Sequence, residues 1–201
     1  MVLVVPRISD SRNGYPRIRD SGYKVQSMIL TRQAEDRDLP QLLEIYNDII
    51  LTTTAVYEYK PHTLEMRRQW LETKREQGFP VFVAEEGKEI VGFSSFGPFR
   101  NWAAYKYSVE NSVYVSKQRR GQGIGKLLLP PLIGEAKRLD LHTIVASIDA
   151  TNESSLRLHR SFGFKDVAHF KEVGYKFGRW LDLKFLQLIL NGPEYPIEPS
   201  V

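Results

Sequence analysis

The run Gln118-Arg119-Arg120-Gly121-Gln122-Gly123-Ile124-Gly125-Lys126 sets three glycines at alternate positions among cations. Glycine has no Cβ, so it lets a backbone come close to a ligand and reach positive φ. With a strand before it and a helix after it, such a loop aims free N–H groups at one point, where the helix dipole adds partial positive charge. That is chemistry for holding a phosphate or pyrophosphate, with Arg119, Arg120 and Lys126 adding charge at the rim. A plain structural turn uses the same residues. Two nucleotide motifs do not fit: no lysine follows a G-x-x-x-x-G spacing, and Gly121-x-Gly123-x-Gly125 is not G-x-G-x-x-G. The chain has no cysteine, which removes thiolate nucleophiles, thiolate metal sites and disulfides. His62, His142 and His169 have no metal-ligand spacing, so no metal is expected.

The flanking sequence supplies what the loop needs. Tyr107 to Val115 reads as a strand, and Lys126 to Leu139 carries the apolar stripe Leu127, Leu128, Leu132, Ile133 and Ala136 of a helix. Pro130-Pro131 should bend or loosen that helix, because each proline removes a donor. Upstream, Ile29 to Arg32 reads as a strand. Asp36 or Asp38 caps a helix with Pro40 in its first turn. A second helix spans Thr63 to Gln77 and stops at Gly78. Pro80 to Glu85 and Glu89 to Phe96 form a hairpin. Downstream come a strand at Thr143 to Ile148, a short helix at Glu153 to Ser161, and strands near Phe164 to Phe170 and Trp180 to Leu190. This order describes an α+β domain with a mixed sheet.

With 201 residues, 42% hydrophobic and 26% charged, the chain is sized for one globular domain. Its net charge of +4 is concentrated in residues 1–27, where five cations oppose two carboxylates. The remainder is nearly neutral, which argues against a nucleic-acid partner. Apolar runs such as Val2 to Val5 fall far short of the roughly 20 residues of a membrane span, so no membrane is expected. The absence of cysteine fits a cytoplasmic location. Residues 1–27 are expected to be a leader or extension outside the fold, 28–190 the domain, and 191–201, with three prolines, a flexible tail.

Gln118-x-x-Gly121-x-Gly123 resembles the Q/R-x-x-G-x-G/A signature of the GCN5-related N-acetyltransferases (GNAT). A second family element, an Asn before a short helix and an aromatic-Gly-Phe turn, stands at Asn152 to Phe164. The resemblance covers about Ile29 to Leu190. It is nearest the phosphinothricin and methionine sulfoximine or sulfone acetyltransferase branch, through Glu44-Ile45-Tyr46-Asn47, Gly92 to Gly97, Val109 to Val115 and Lys176 to Leu183.

The resemblance implies a GNAT fold, a twisted mixed sheet of about seven strands flanked by helices, with two central strands splayed around acetyl-CoA. It implies that Val113, Tyr114 and Val115 pair with the pantetheine arm, a ligand acting as an added strand. Gln118 through Lys126, including Gln122 and Ile124, hold the pyrophosphate, and Asn152, Ser154 and Ser155 complete the coenzyme site. Asn152 also reads as a helix N-cap. Glu110 becomes the base that deprotonates the acceptor amine, and a backbone N–H near Val113 the oxyanion donor. His159 stands where many members carry a tyrosine that protonates the departing thiolate, and where this branch carries histidine. As ordinary residues, Glu110 is a solvent-facing strand glutamate and His159 a core histidine.

On the acceptor side, Arg100, Tyr105, Lys106 and Arg179 are candidates for binding a small amino-acid-like substrate, since arginine suits a carboxylate clamp. Phe99, Trp102 and Tyr107 are candidate pocket walls. The chain departs from its relatives at Asn101-Trp102-Ala103-Ala104. The expected activity is acetylation of the α-amine of a phosphinothricin, methionine sulfoximine or methionine sulfone type compound, by a homodimer using its carboxy-terminal strands. A polyamine or protein N-terminus as acceptor, and a non-catalytic acetyl-CoA sensor, are the alternatives.

Overall fold

The structure, a computed structural model, describes residues 28–198; the segment 1–27 and its reading as a leader lie outside the described residues. Seven strands form one sheet: β1 (Ile29–Gln33), β2 (Val81–Glu86), β3 (Glu89–Pro98), β4 (Ser108–Val115), β5 (Thr143–Asp149), β6 (Lys165–Lys176) and β7 (Arg179–Ile189). Their spatial order is β1-β2-β3-β4-β5-β7-β6. All neighbours run antiparallel except β4 and β5. A parallel neighbour needs a crossover, which here is the glycine loop and α3 (Ile124–Arg138).

The helices α1 (Leu39–Thr52) and α2 (Leu64–Glu76) cover one face. Leu42, Ile45 and Ile49 of α1 pack on Val83, Ile90 and Phe93, while Leu71 of α2 joins Leu39 and Val81. On the other face α3 and α4 (Glu153–Ser161) bury Leu129, Leu132, Ala136 and Leu156 against Val109, Ile144, Ala146 and Leu186. Strand periodicity divides the two faces: along β4, Val109 and Asn111 point one way and Glu110, Ser112 and Tyr114 the other.

Two expectations change. Helix α3 runs unbroken through Pro130 and Pro131. The carbonyls that lose donors belong to Lys126 and Leu127, both on the exposed side of the helix. The strand expected near Phe164 to Phe170 extends to Lys176, with two register shifts against β7. Two contacts reach residues 191–198. His142 Nδ1 lies 2.8 Å from Gly192 O, and the Tyr107 hydroxyl accepts from Ile197 N at 3.1 Å.

Lys176, at the end of β6, is 3% exposed. Its ammonium donates to the carbonyls of Ile50 (2.7 Å), Thr53 (2.9 Å) and Val56 (2.7 Å). This buried cation caps the C-terminus of α1, where the helix dipole favours positive charge, and ties the α1–α2 connection to the β6–β7 hairpin. Tyr57 reinforces the tie, because its ring fills the space a Cβ on Gly174 would need.

Candidate active site

The parallel ladder between β4 and β5 is short. It joins Ser108 to Thr143, Val109 to Ile144 and Glu110 to Val145, and then stops. Beyond it β4 continues to Val115 paired only with β3, and β5 continues to Asp149 paired only with β7. The two strands have parted, and the gap opens into a cavity of 1310 Å³ lined by Glu110 to Val115, Ala146 to Asp149 and the glycine loop. Strand edges that lack a partner offer backbone donors and acceptors to a ligand.

At one end of this cleft Gly121 and Gly123 have φ of +76° and +82°, and a Cβ on either would meet nothing within 4 Å. Gly123 is the left-handed N-cap of α3. These two glycines therefore leave open backbone at a helix N-terminus, the arrangement that accepts phosphate. Gly125 serves packing instead, since its Cβ would lie 2.8 Å from Leu158 Cδ2; having none, it permits α3 and α4 to approach. The expected rim of three cations is also thinned. Arg119 pairs with Glu86 and Glu89, and Arg120 lies 3.5 Å from Asp48. These contacts brace the loop against the β2–β3 turn and α1, leaving Lys126 as the loop cation without an ion pair among the described residues. Gln122 Nε2 bonds to Gln118 O at 3.1 Å, and neither glutamine lines the cleft.

Across the cleft Asn152 caps α4. Its Oδ1 accepts from Ser155 N at 3.2 Å and from the Ser154 hydroxyl at 2.9 Å, and all three residues line the cavity. The cap uses the oxygen alone, so the Nδ2 donors stay available for a ligand.

Glu110 sits where the strands diverge, half-buried and on the cleft wall. His159 is on the wall as well, but only 3% exposed. Its Nδ1 donates to Ser155 O at 2.9 Å, and its Nε2 accepts from Asn111 Nδ2 at 3.0 Å. Burial pushes its pKa below the ordinary histidine value, against a smaller opposite pull from the Ser155 carbonyl. With Nδ1 on the Ser155 carbonyl, the ring joins α4 to Asn111 of β4 beside the cleft.

Of the acceptor-side candidates, Arg100 and Arg179 line the cleft. Arg100 stacks 4.1 Å from the Phe99 ring, and Arg179 lies 4.0 Å from Asp149. Tyr105 and Lys106 do not line it. They belong to the connection before β4, where Tyr105 packs edge-on with Phe99 and Lys106 lies 4.8 Å over Tyr107. Among the described residues no three His, Cys, Asp or Glu converge as a metal site, and no helix is long and apolar enough to cross a membrane.

The acetyltransferase (GNAT) domain family matches residues 31–184. The chain belongs to the GNAT acetyltransferases. Among its relatives is the L-methionine sulfoximine/L-methionine sulfone acetyltransferase of Salmonella typhimurium, 42% identical over 80% of this chain and 94% of that protein. The fold matches a phosphinothricin acetyltransferase from Sinorhizobium meliloti in complex with acetyl-CoA, with a TM-score of 0.81 and 35% identity over 86% of this chain and 94% of that one. A structure described as ribosomal-protein-alanine N-acetyltransferase from Brucella melitensis matches with a TM-score of 0.79 and 49% identity, covering 80% and 99% of the two chains. The chain is thus an acetyl-CoA dependent N-acyltransferase.

Sequence reasoning did not find Arg67, Lys74, Ser95 and Ser112. They line a second, smaller cavity of 100 Å³ on the α1–α2 face of the sheet, and Glu110 borders both cavities. A signal was present: Arg67, Trp70, Leu71 and Lys74 stand at i, i+3, i+4 and i+7, so two cations share the face of α2 that packs inward.

Proposed function

We propose that the protein moves the acetyl group of acetyl-CoA to the α-amine of a small amino-acid analogue of the methionine sulfoximine, methionine sulfone or phosphinothricin kind. The observation that carries this is the position of Glu110, a carboxylate at the point where the coenzyme cleft meets the acceptor face of the sheet. The substrate class is supported by what the relatives in Salmonella typhimurium and Sinorhizobium meliloti are named for. When bound, acetyl-CoA supplies the activated carbonyl. Glu110 takes a proton from the acceptor ammonium, Gly121 and Gly123 with Lys126 hold the pyrophosphate, and Asn152 donates to the pantetheine amides. Arg100 and Arg179 are the cleft cations fitted to an acceptor carboxylate. His159 positions Asn111 and the start of α4.

The working form is a homodimer in the cytoplasm. Tyr175 and Trp180, paired across the β6–β7 hairpin, and Phe177 in its turn are all about half exposed or more, and Phe177 also lines the cleft. That is an apolar hairpin tip suited to a second copy at the edge of the site.

The 49% identity to the Brucella melitensis protein favours a second reading, transfer to a protein N-terminal alanine. Release of free coenzyme A thiol separates the two, and the absence of cysteine lets a thiol reagent report coenzyme alone. Acetyl-CoA is offered with methionine sulfone, methionine sulfoximine, L-phosphinothricin, polyamines and alanine-terminated peptides. Thiol release with the amino-acid analogues is expected. Release with the peptides only moves the assignment to the second reading.

A further inference from the structure

The 100 Å³ chamber behind Glu110 has an unusual charge content. Arg67 is 2% exposed and has no carboxylate partner among the described residues; its guanidinium stacks on Tyr46 at 3.8 Å and Trp70 at 4.5 Å, with Nε buried and unbonded. Lys74 donates from Nζ to Phe96 O at 2.7 Å and likewise has no carboxylate partner among the described residues. The one carboxylate lining the chamber is Glu110. Register brings the last two together. Gly97 of β3 lies directly opposite Glu110 of β4, and the space for a Gly97 side chain is filled by Lys74 Nζ. Directly opposed residues on one face of an antiparallel pair have Cβ atoms about 5 Å apart. The Lys74 amine therefore occupies the cross-strand place beside the Glu110 side chain, in the space a side chain at position 97 would take.

We propose that Lys74 is a positioning residue for the reaction's proton: through water in the chamber, its amine relieves Glu110 of the proton taken from the acceptor ammonium. This rests on the acetyl-transfer reading above. An N–H bond of the ammonium breaks as an O–H bond forms on Glu110, and that O–H bond breaks as Nζ gains the proton. The freed amine forms its C–N bond as the C–S bond breaks, and the thiolate takes the second N–H proton. One proton per turnover is left over, and Lys74 returns it to solvent.

The chamber is polar and has the volume of about three waters. A carboxylate alone is a far weaker base than the amine it must deprotonate. Burial pushes Lys74 down to about 8, far nearer to the range of α-amines than a carboxylate is, so passing the acceptor's proton on to it takes a smaller free-energy step. The charged or titratable groups facing Lys74 are Arg67 on its own helix, Tyr46 from α1, and Glu110 and Tyr114 from β4, while β3 contributes Ser95 and the Phe96 carbonyl. Tyr114 is pushed up to about 12 and stays neutral. Of these, Glu110 is the chamber group with which the Lys74 amine can exchange a proton.

Lysine NMR with ε-13C label, across neutral to alkaline pH, tests the pairing without any acceptor, with the Lys74 signal identified by its loss in Lys74→Arg. Replacing Glu110 by Gln removes a neighbouring negative charge, so the Lys74 midpoint should fall by about half a unit or more; an unchanged midpoint overturns the proposal. In turnover, the wild-type kcat should rise as Lys74 loses its proton. Lys74→Met and Lys74→Arg should both lose that limb and about tenfold in kcat, with the KM for acetyl-CoA unchanged. Arginine keeps the charge but releases no proton, so a wild-type limb in Lys74→Arg also overturns the relay. A coupled NMR midpoint with no acceptor acetylated would sink the acetyl-transfer reading and the relay with it, while leaving the pairing in place.

Discussion

The two sides of the central sheet solve their binding problems with different materials. On the side we assign to the coenzyme, what is offered to a ligand is backbone: parted strand edges on β4 and β5 and open N–H groups at Gly121 and Gly123. On the side we assign to the acceptor it is side chains: Glu110, Arg67 and Lys74 around a small chamber. A backbone site depends on where glycines fall and where strands end, so many side chains there are replaceable. A side-chain site depends on individual residues, and single substitutions should abolish chemistry while leaving coenzyme binding intact.

The sharpest way to break this contrast is Glu110→Gln. Turnover should fall by about 10²–10⁴-fold with coenzyme affinity, read by calorimetry, nearly unchanged. Comparable losses in both would mean that Glu110 belongs to the coenzyme side. A pair of glycine variants divides the backbone site itself. Gly123→Val imposes a branched side chain on left-handed backbone at the phosphate position; it should weaken coenzyme binding by about tenfold or more. Gly125→Val drives a side chain into Leu158 and should lower unfolding stability by about 1–3 kcal/mol, with the smaller effect on binding. The reverse ranking would place the phosphate against Gly125.

The smallest expected effect concerns Lys74. Its folded-state pKa of about 8 lies below the ordinary 10.5, so between those values the unfolded chain binds more protons than the folded one. Stability therefore rises with pH across that window, and the penalty is fully present below it. Denaturant unfolding should show wild type gaining about 1–2 kcal/mol relative to Lys74→Met from the lower to the upper end of the window. Parallel curves would show that Lys74 is not desolvated.

Much of the backbone side was legible in the sequence. Glycine spacing, the strand to Val115 and the Asn152 cap with its helix at Glu153–Ser161 rest on local rules, and the fold keeps them. The acceptor side was less so, because it is made by elements far apart in the chain. Arg67 and Lys74 read as solvated charges on α2 until that helix is laid on β3 and β4. Neighbourhood in sequence puts Tyr105 and Lys106 in the site, yet the turn at Ala103–Tyr105 carries them away from the cleft. His159 was recognisable as a site residue, but its proton inventory depends on Asn111 and Ser155, which only the tertiary structure brings to its two nitrogens.

The parting of β4 from β5 also bears on how the protein avoids aggregating. Unpaired strand edges normally template the addition of a foreign strand, and sheets blunt them at their perimeter with charges, short lengths or bulges. Here two such edges lie in the interior of the sheet, each fixed on its far side by β3 or β7. The ladder is closed at Glu110, and the glycine loop and α4 flank the gap. The exposed backbone of the gap is thereby shielded from other polypeptides by its location inside the sheet.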